Sequence, residues 1–351
     1  MTTPEIHRRH VLYGISAAAM ISASCQHVAA SEAEPTLRTI TVNGINMRVA
    51  EMGDGPLVIL AHGWPESWYS WRHQIKALAE AGYHVVAPDM RGYGGTDAPE
   101  AIADYDIHHL AGDIVGIIDA MGEEKAHLVG HDWGAVVSWN AVHMHSDRFK
   151  SLTALSVPYG GRGAAAPTTI LNKVYGDNFY YMLYFQEPGV AEAEFDADPR
   201  AILSRLYRSP DSPRFPPKVT DPKMSAGGWI PRLGELKERP EWLTAADLDY
   251  YVQQFEKAGF RGGINYYRNL DRNWKTTADL EGVTIDIPVK FIAGAQDVVL
   301  GGRNAEQLDE MMRKVCTDFR GVTLLPETGH WVQQEEADAV NTALVSFINS
   351  I

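Results

Sequence analysis

Short, unbroken apolar runs mark the first half of the chain. Leu57 to Ala61 is apolar at every position, as expected of a strand buried on both faces. His84 to Pro88, Ala126 to Val129 and Leu152 to Val157 read the same way. Between them Ser67 to Ala81, His108 to Met121 and Trp133 to His145 have helical spacing, the last apolar almost all round. Ahead of these, Thr39 to Val42 and Ile45 to Ala50 flank Asn43-Gly44, a dipeptide suited to a two-residue hairpin turn. Buried strands alternating with helices predict an α/β fold: a mostly parallel sheet with helices on both faces.

The rhythm stops near Pro158. Up to Glu281 tyrosine and tryptophan are dense, Ser209 to Pro217 is proline-rich, and no strand period is visible. Thr244-Ala245-Ala246-Asp247 caps a predicted helix over Leu248 to Lys257, with Gly259 as its stop. Strand signals return at Pro288 to Ala293 and Gly321 to Leu325, and a last amphipathic helix is predicted over Gln334 to Ile348. The chain therefore divides into a core of residues 36–157 and 282–351, interrupted by a helical insertion over 158–281.

Composition narrows the function. A formal charge of -14 on 351 residues disfavours nucleic acid and anionic membrane surfaces as partners. Two cysteines, Cys25 and Cys316, make no disulfide framework, and no cysteine or histidine spacing suits a metal. Residues 1–30 read as a secretory signal peptide. His7-Arg8-Arg9-His10 precedes a weakly apolar run, and Val28-Ala29-Ala30 offers small residues for cleavage. The paired arginines resemble a twin-arginine signal. Export to the periplasm or beyond is the expectation. The alternatives are a disordered tail, an uncleaved amphipathic anchor or a lipoprotein site at Cys25; if the segment is not a signal, the protein is expected in the cytoplasm.

Gly130-His131-Asp132-Trp133-Gly134 has the glycine spacing of the sharp strand-to-helix turn that presents a nucleophile, with aspartate where serine is usual. A carboxylate is ionised without help at neutral pH and attacks a saturated carbon, so the chemistry points to opening a C–O or C–halogen bond. A helix N-terminus favours its charge, although an N-capping aspartate is also common there. His62-Gly63-Trp64-Pro65 follows the strand Leu57 to Ala61, and the backbone N–H groups of Trp64 and Trp133 are candidates for an oxyanion hole. His330, after the last strand, is the candidate base. Asp297 is the acid that would orient it; Asp286 falls before its strand, at the wrong sheet edge. The order Asp132, Asp297, His330 is nucleophile, acid, base.

On these motifs, together with Asp89-Met90-Arg91-Gly92-Tyr93-Gly94 and Gly329-His330-Trp331, the chain resembles the α/β-hydrolase-fold epoxide hydrolases, in particular the catalytic domain of the soluble ones. The resemblance runs from about Thr39 to the C-terminus. It implies an α/β-hydrolase core with a helical cap, a small apolar epoxide and water as substrates, no cofactor and no metal, and it leaves room for a homodimer. Detoxification is the role it suggests. The segments Tyr180 to Gly189 and Gly262 to Asn269 resemble the two lid stretches that carry ring-activating tyrosines, which makes Tyr181 and Tyr267 the pair. Tyr180, Tyr184 and Tyr266 compete for the register. His62, Pro65 and Trp331 are expected in the substrate pocket, and the Trp64-Pro65 peptide is expected to be cis. The same Asp, acid and His also serve haloalkane and fluoroacetate dehalogenases, for which Trp133 is equally suited; the tyrosine segments favour the epoxide. An esterase lacks its serine here. A non-catalytic ligand-binding relative has no need of all three groups.

Overall fold

In the computed structural model, described for Met1 and residues 34–351, eight strands form one sheet in the order β1-β2-β4-β3-β5-β6-β7-β8. They are β1 (Thr36–Val42), β2 (Ile45–Met52), β3 (Leu57–Ala61), β4 (His84–Pro88), β5 (Ala126–His131), β6 (Phe149–Leu155), β7 (Val289–Gly294) and β8 (Phe319–Leu325). The pairs β1–β2 and β2–β4 are antiparallel and the rest are parallel. Asn43 and Gly44 both take positive φ in the β1–β2 turn, as a type I′ hairpin requires. Beyond Met1, the stretch read from sequence as a signal peptide, Cys25 included, falls outside the described residues.

Both faces of the sheet are covered, which explains the unbroken apolar runs. Of β3, Leu57, Ile59 and Ala61 join the core beneath α2 (Ile107–Ala120) and α3 (Trp133–Met144), while Val58 and Leu60 face α1 (Arg72–Glu80) and the C-terminal helix. Between β6 and β7 the chain forms helices: α4 (Pro167–Tyr175), α5 (Tyr181–Tyr184), α6 (Val190–Ala197), α7 (Pro199–Leu206), α8 (Ala245–Ala258), α9 (Arg261–Arg268) and α10 (Leu270–Thr276). Thr244 caps α8 through a reciprocal box with Asp247, as its sequence predicts. This is an α/β-hydrolase fold, and the helices between β6 and β7 supply a lid.

Four local readings differ from the structure. Helix α1 is preceded by a separate 3-10 turn, Trp68–Trp71, because Trp71 leaves helical geometry. Strand β6 stops at Leu155, since Ser156 turns to a φ of 66°. A helix the apolar pattern does not suggest, α11 (Ala305–Arg313), starts from an Asn304–Gln307 capping box. The predicted last helix is two, α12 (Val332–Glu335) and α13 (Ala337–Ile348), broken at Glu336.

Candidate active site

The C-terminal ends of the parallel strands carry the chemistry. Asp132 links β5 directly to α3 with φ 51° and ψ -118°, a strained conformation costing on the order of 1–3 kcal/mol. The packing tolerates no side chain on either flank: a Cβ at Gly134 would overlap the Ala61 carbonyl, and one at Gly130 the Gly134 carbonyl. The carboxylate makes no capping bond to its own helix, so it is not spent as an N-cap. Instead the Trp64 N–H donates to Asp132 Oδ1 at 2.7 Å, from the loop containing the cis Trp64-Pro65 peptide. Trp133 N–H lies in the first turn of α3, where amides have no upstream helical partner.

His330, beyond β8, points its Nε2 at Asp132 Oδ2, 3.5 Å away, and its Nδ1 at Asp297 Oδ2, 2.9 Å away. Asp297 follows β7 and accepts a second bond from Val299 N–H at 2.9 Å. Burial works against the charge on Asp297, but His330 and the Val299 amide outweigh it and hold the carboxyl below its ordinary range. Burial likewise disfavours the imidazolium of His330, yet Asp297 and Asp132 together raise its pKa well above the usual histidine value. The two carboxylates thus favour the protonated over the neutral imidazole in the resting site.

Tyr181, opening α5, and Tyr267, on α9, meet with ring centroids 5.7 Å apart at 78°. Tyr267 packs edge-on against Trp133 and Trp64. Burial, a neighbouring phenol (Tyr180 for Tyr181, Tyr181 for Tyr267) and the charge of Asp132 hold both phenols far above the ordinary tyrosine pKa, so both are neutral donors near the carboxylate. The neighbouring tyrosines are otherwise engaged: Tyr266 donates to Arg91 O at 2.9 Å, Tyr184 to Glu194 at 2.8 Å, and Tyr180 stacks on Tyr175 at 4.1 Å.

Three residues expected in the pocket have other work. His62 is buried, with Nδ1 on Gly63 O and Nε2 accepting from Met90 N–H, each at 2.9 Å. Both ring nitrogens are taken, so it fixes the loop and offers nothing to a ligand. Pro65 gives its carbonyl to the buried Tyr207 hydroxyl. Trp331 is buried, donates its indole N–H to Leu206 O at 3.0 Å and lies edge-on to His330.

Sequence reasoning missed two carboxylates that brace this site. Glu66, fully buried, accepts from Gly63 N–H at 2.9 Å, His131 at 2.6 Å and Gln333 at 3.0 Å. Burial opposes its charge, but His131 outweighs that and holds its pKa at about 2. His131 Nε2 reaches the His330 carbonyl at 2.7 Å, and Ser156 Oγ donates to the same oxygen at 2.9 Å. Glu335 accepts from Gly329 N–H at 3.0 Å and Trp331 N–H at 2.9 Å, one on each side of His330. A sequence signal existed only for Glu66, which directly follows the His-Gly-Trp-Pro motif; the other contacts are backbone contacts.

The family model for the alpha/beta hydrolase fold matches residues 56–337. Epoxide hydrolase A of Mycobacterium tuberculosis (strain ATCC 25618 / H37Rv) is 48% identical over 322 residues, covering 90% of this chain and 98% of that protein. Epoxide hydrolase 1 of Siraitia grosvenorii is 40% identical over 313 residues, covering 88% and 97%. The crystal structure of Epoxide Hydrolase A from Mycobacterium thermoresistibile superposes with a TM-score of 0.82 at 47% identity, covering 90% of this chain and 98% of that one.

Proposed function

The chain belongs to the α/β-hydrolase-fold family and is an epoxide hydrolase, and we propose that it opens the ring through a covalent ester on Asp132. The observation that carries this reading is the pairing of Asp132 with a histidine already held by Asp297, under two neutral phenols.

Trp64 N–H occupies Oδ1, so Oδ2 is the attacking oxygen. It displaces the epoxide oxygen from a ring carbon while Tyr181 and Tyr267 donate to the developing alkoxide. Esterification removes the charge of Asp132. One of the two carboxylates that favour a proton on His330 is then gone and its pKa falls; it gives that proton up to solvent, the phenol that protonated the alkoxide recovers one from solvent, and the neutral imidazole can take a proton from water. Water attacks Cγ of the ester. Oδ1, now the carbonyl oxygen, carries the negative charge toward the amides of Trp64 and Trp133. As the tetrahedral adduct collapses, His330 returns the proton to Oδ2, which leaves in the diol, and the water oxygen stays on the aspartate.

Incubation with styrene oxide and 1-bromobutane tests the reading against halide displacement. Diol without bromide is the expected result; bromide without diol would overturn it in favour of a dehalogenase, and neither product across a range of substrates would favour a binding protein.

The two phenols act in the first step alone. Tyr181→Phe and Tyr267→Phe are each expected to slow ring opening by about 100-fold, comparable to deleting one oxyanion-hole donor, with ester hydrolysis unchanged. Stopped-flow tryptophan fluorescence in single turnover separates the two rates, since Trp64 and Trp133 adjoin the reacting carboxylate.

A further inference from the structure

We infer that Trp229 is a positioning residue that holds Tyr181 in place above Asp132, an inference that rests on the covalent reading above. Its ring lies between those of Trp64 and Tyr181, 5.7 Å from the first at 8° and 4.9 Å from the second at 16°. The three near-parallel rings form a column. At its lower end Trp64 gives its N–H to the nucleophile; at its upper end stands the phenol that donates to the epoxide oxygen.

The two lid tyrosines are anchored very differently. Tyr267 is buried in an eight-residue helix and packed edge-on against Trp64, Trp133 and Phe185. Tyr181 sits on a four-residue helix that has no side-chain cap and no fully buried residue, too short to fix a side chain by itself. Phe185 and Tyr267 meet the Tyr181 ring edge-on, and the indole of Trp229 supplies its stacked contact at the shortest separation. Glu194, on α6, ties the two halves together: its carboxylate accepts from the backbone N–H groups of Trp229 at 2.8 Å and Ile230 at 2.9 Å, and from the hydroxyl of Tyr184 at 2.8 Å. Tyr184 belongs to the same short helix as Tyr181, so the backbone of Trp229 and helix α5 share one anchor. Offset stacking at these separations is favourable beyond simple burial, and Trp229 makes two such contacts.

The consequence is specific to one half-reaction. Ring opening needs the Tyr181 hydroxyl at the departing oxygen; ester hydrolysis needs His330 and does not use the lid. With styrene oxide as probe, Trp229→Ala is expected to slow ring opening roughly ten- to a hundred-fold, the scale of a small misplacement of a reacting group. Ester hydrolysis keeps its rate. Trp229→Phe, which retains a ring to stack, recovers most of the loss. In a Tyr181→Phe background the alanine substitution adds nothing, because the group it positions is already gone. Should the alanine variant fail to fold, Trp229→Leu keeps apolar bulk without an aromatic ring and carries the same comparison. Equal slowing of both half-reactions, or losses that multiply with Tyr181→Phe, would overturn the inference. Wild-type protein that accumulates no ester would instead sink the covalent reading beneath it.

Discussion

Asp132→Asn is expected to abolish diol formation, with turnover falling on the order of 10⁴-fold or more, as when a nucleophile is removed from a cooperating catalytic set. An amide is neutral, and its oxygen is a far weaker nucleophile toward a saturated carbon than a carboxylate oxygen. The substitution also removes one of the two charges that hold the proton on His330. The fold is expected to survive. Asparagine tolerates positive φ about as well as aspartate, so the turn at φ 51° remains accessible, and its amide oxygen can still accept from Trp64 N–H. Diol release from styrene oxide measures activity, and circular dichroism with a thermal melt measures the fold. Residual turnover near the wild-type rate would place the nucleophile elsewhere.

His330→Gln separates the two chemical steps. Asp132 keeps its charge and both phenols stay in place, so ring opening proceeds. Glutamine is no base at neutral pH, and ester hydrolysis is expected to slow by about 100- to 10,000-fold, the usual contribution of a general base. The alkyl-enzyme therefore accumulates and appears in intact mass as an increase equal to one substrate. The pH dependence of the wild-type protein follows with a defined sign. In the ester, Asp297 still faces His330 but Asp132 no longer carries charge, so the proton on His330 is held less tightly than in the resting site. Ester hydrolysis should rise with pH through this lowered pKa and fall below it as the imidazole becomes protonated. Ring opening, which does not need neutral His330, should show no such rise. A variant that turns over substrate with no trapped adduct would remove His330 from the hydrolytic step.

The parts of the fold that could be read from sequence are those in which one physical requirement dominates. Strands β3 and β4 run where their apolar residues run because both faces of the sheet are covered. Asp132, Asp297 and His330 announce themselves by following strands in order. What escaped depends on contacts between distant parts of the chain. Glu335 braces the backbone on both sides of His330, and the last helix breaks at Glu336, neither of which a local period encodes. His62 sits in a loop where an imidazole looks available, yet the backbones of Gly63 and Met90 consume both its nitrogens. Tyr180 and Tyr181 are adjacent and alike in sequence; the packing of Tyr180 on Tyr175 and of Tyr181 on Trp229 and Tyr267 tells them apart. The glycines on either side of Asp132 were legible as a motif, but the contacts that forbid a Cβ there, with Ala61 O on β3 and with the Gly134 carbonyl, emerge only in the fold.

The origin of the diol oxygen decides between covalent and direct attack. In a single turnover of excess enzyme with styrene oxide in ¹⁸O-enriched water, the account predicts label in the carboxylate of Asp132, found by peptide mass analysis, and unlabelled diol. Label passing straight into the diol, with Asp132 left unlabelled, would contradict it.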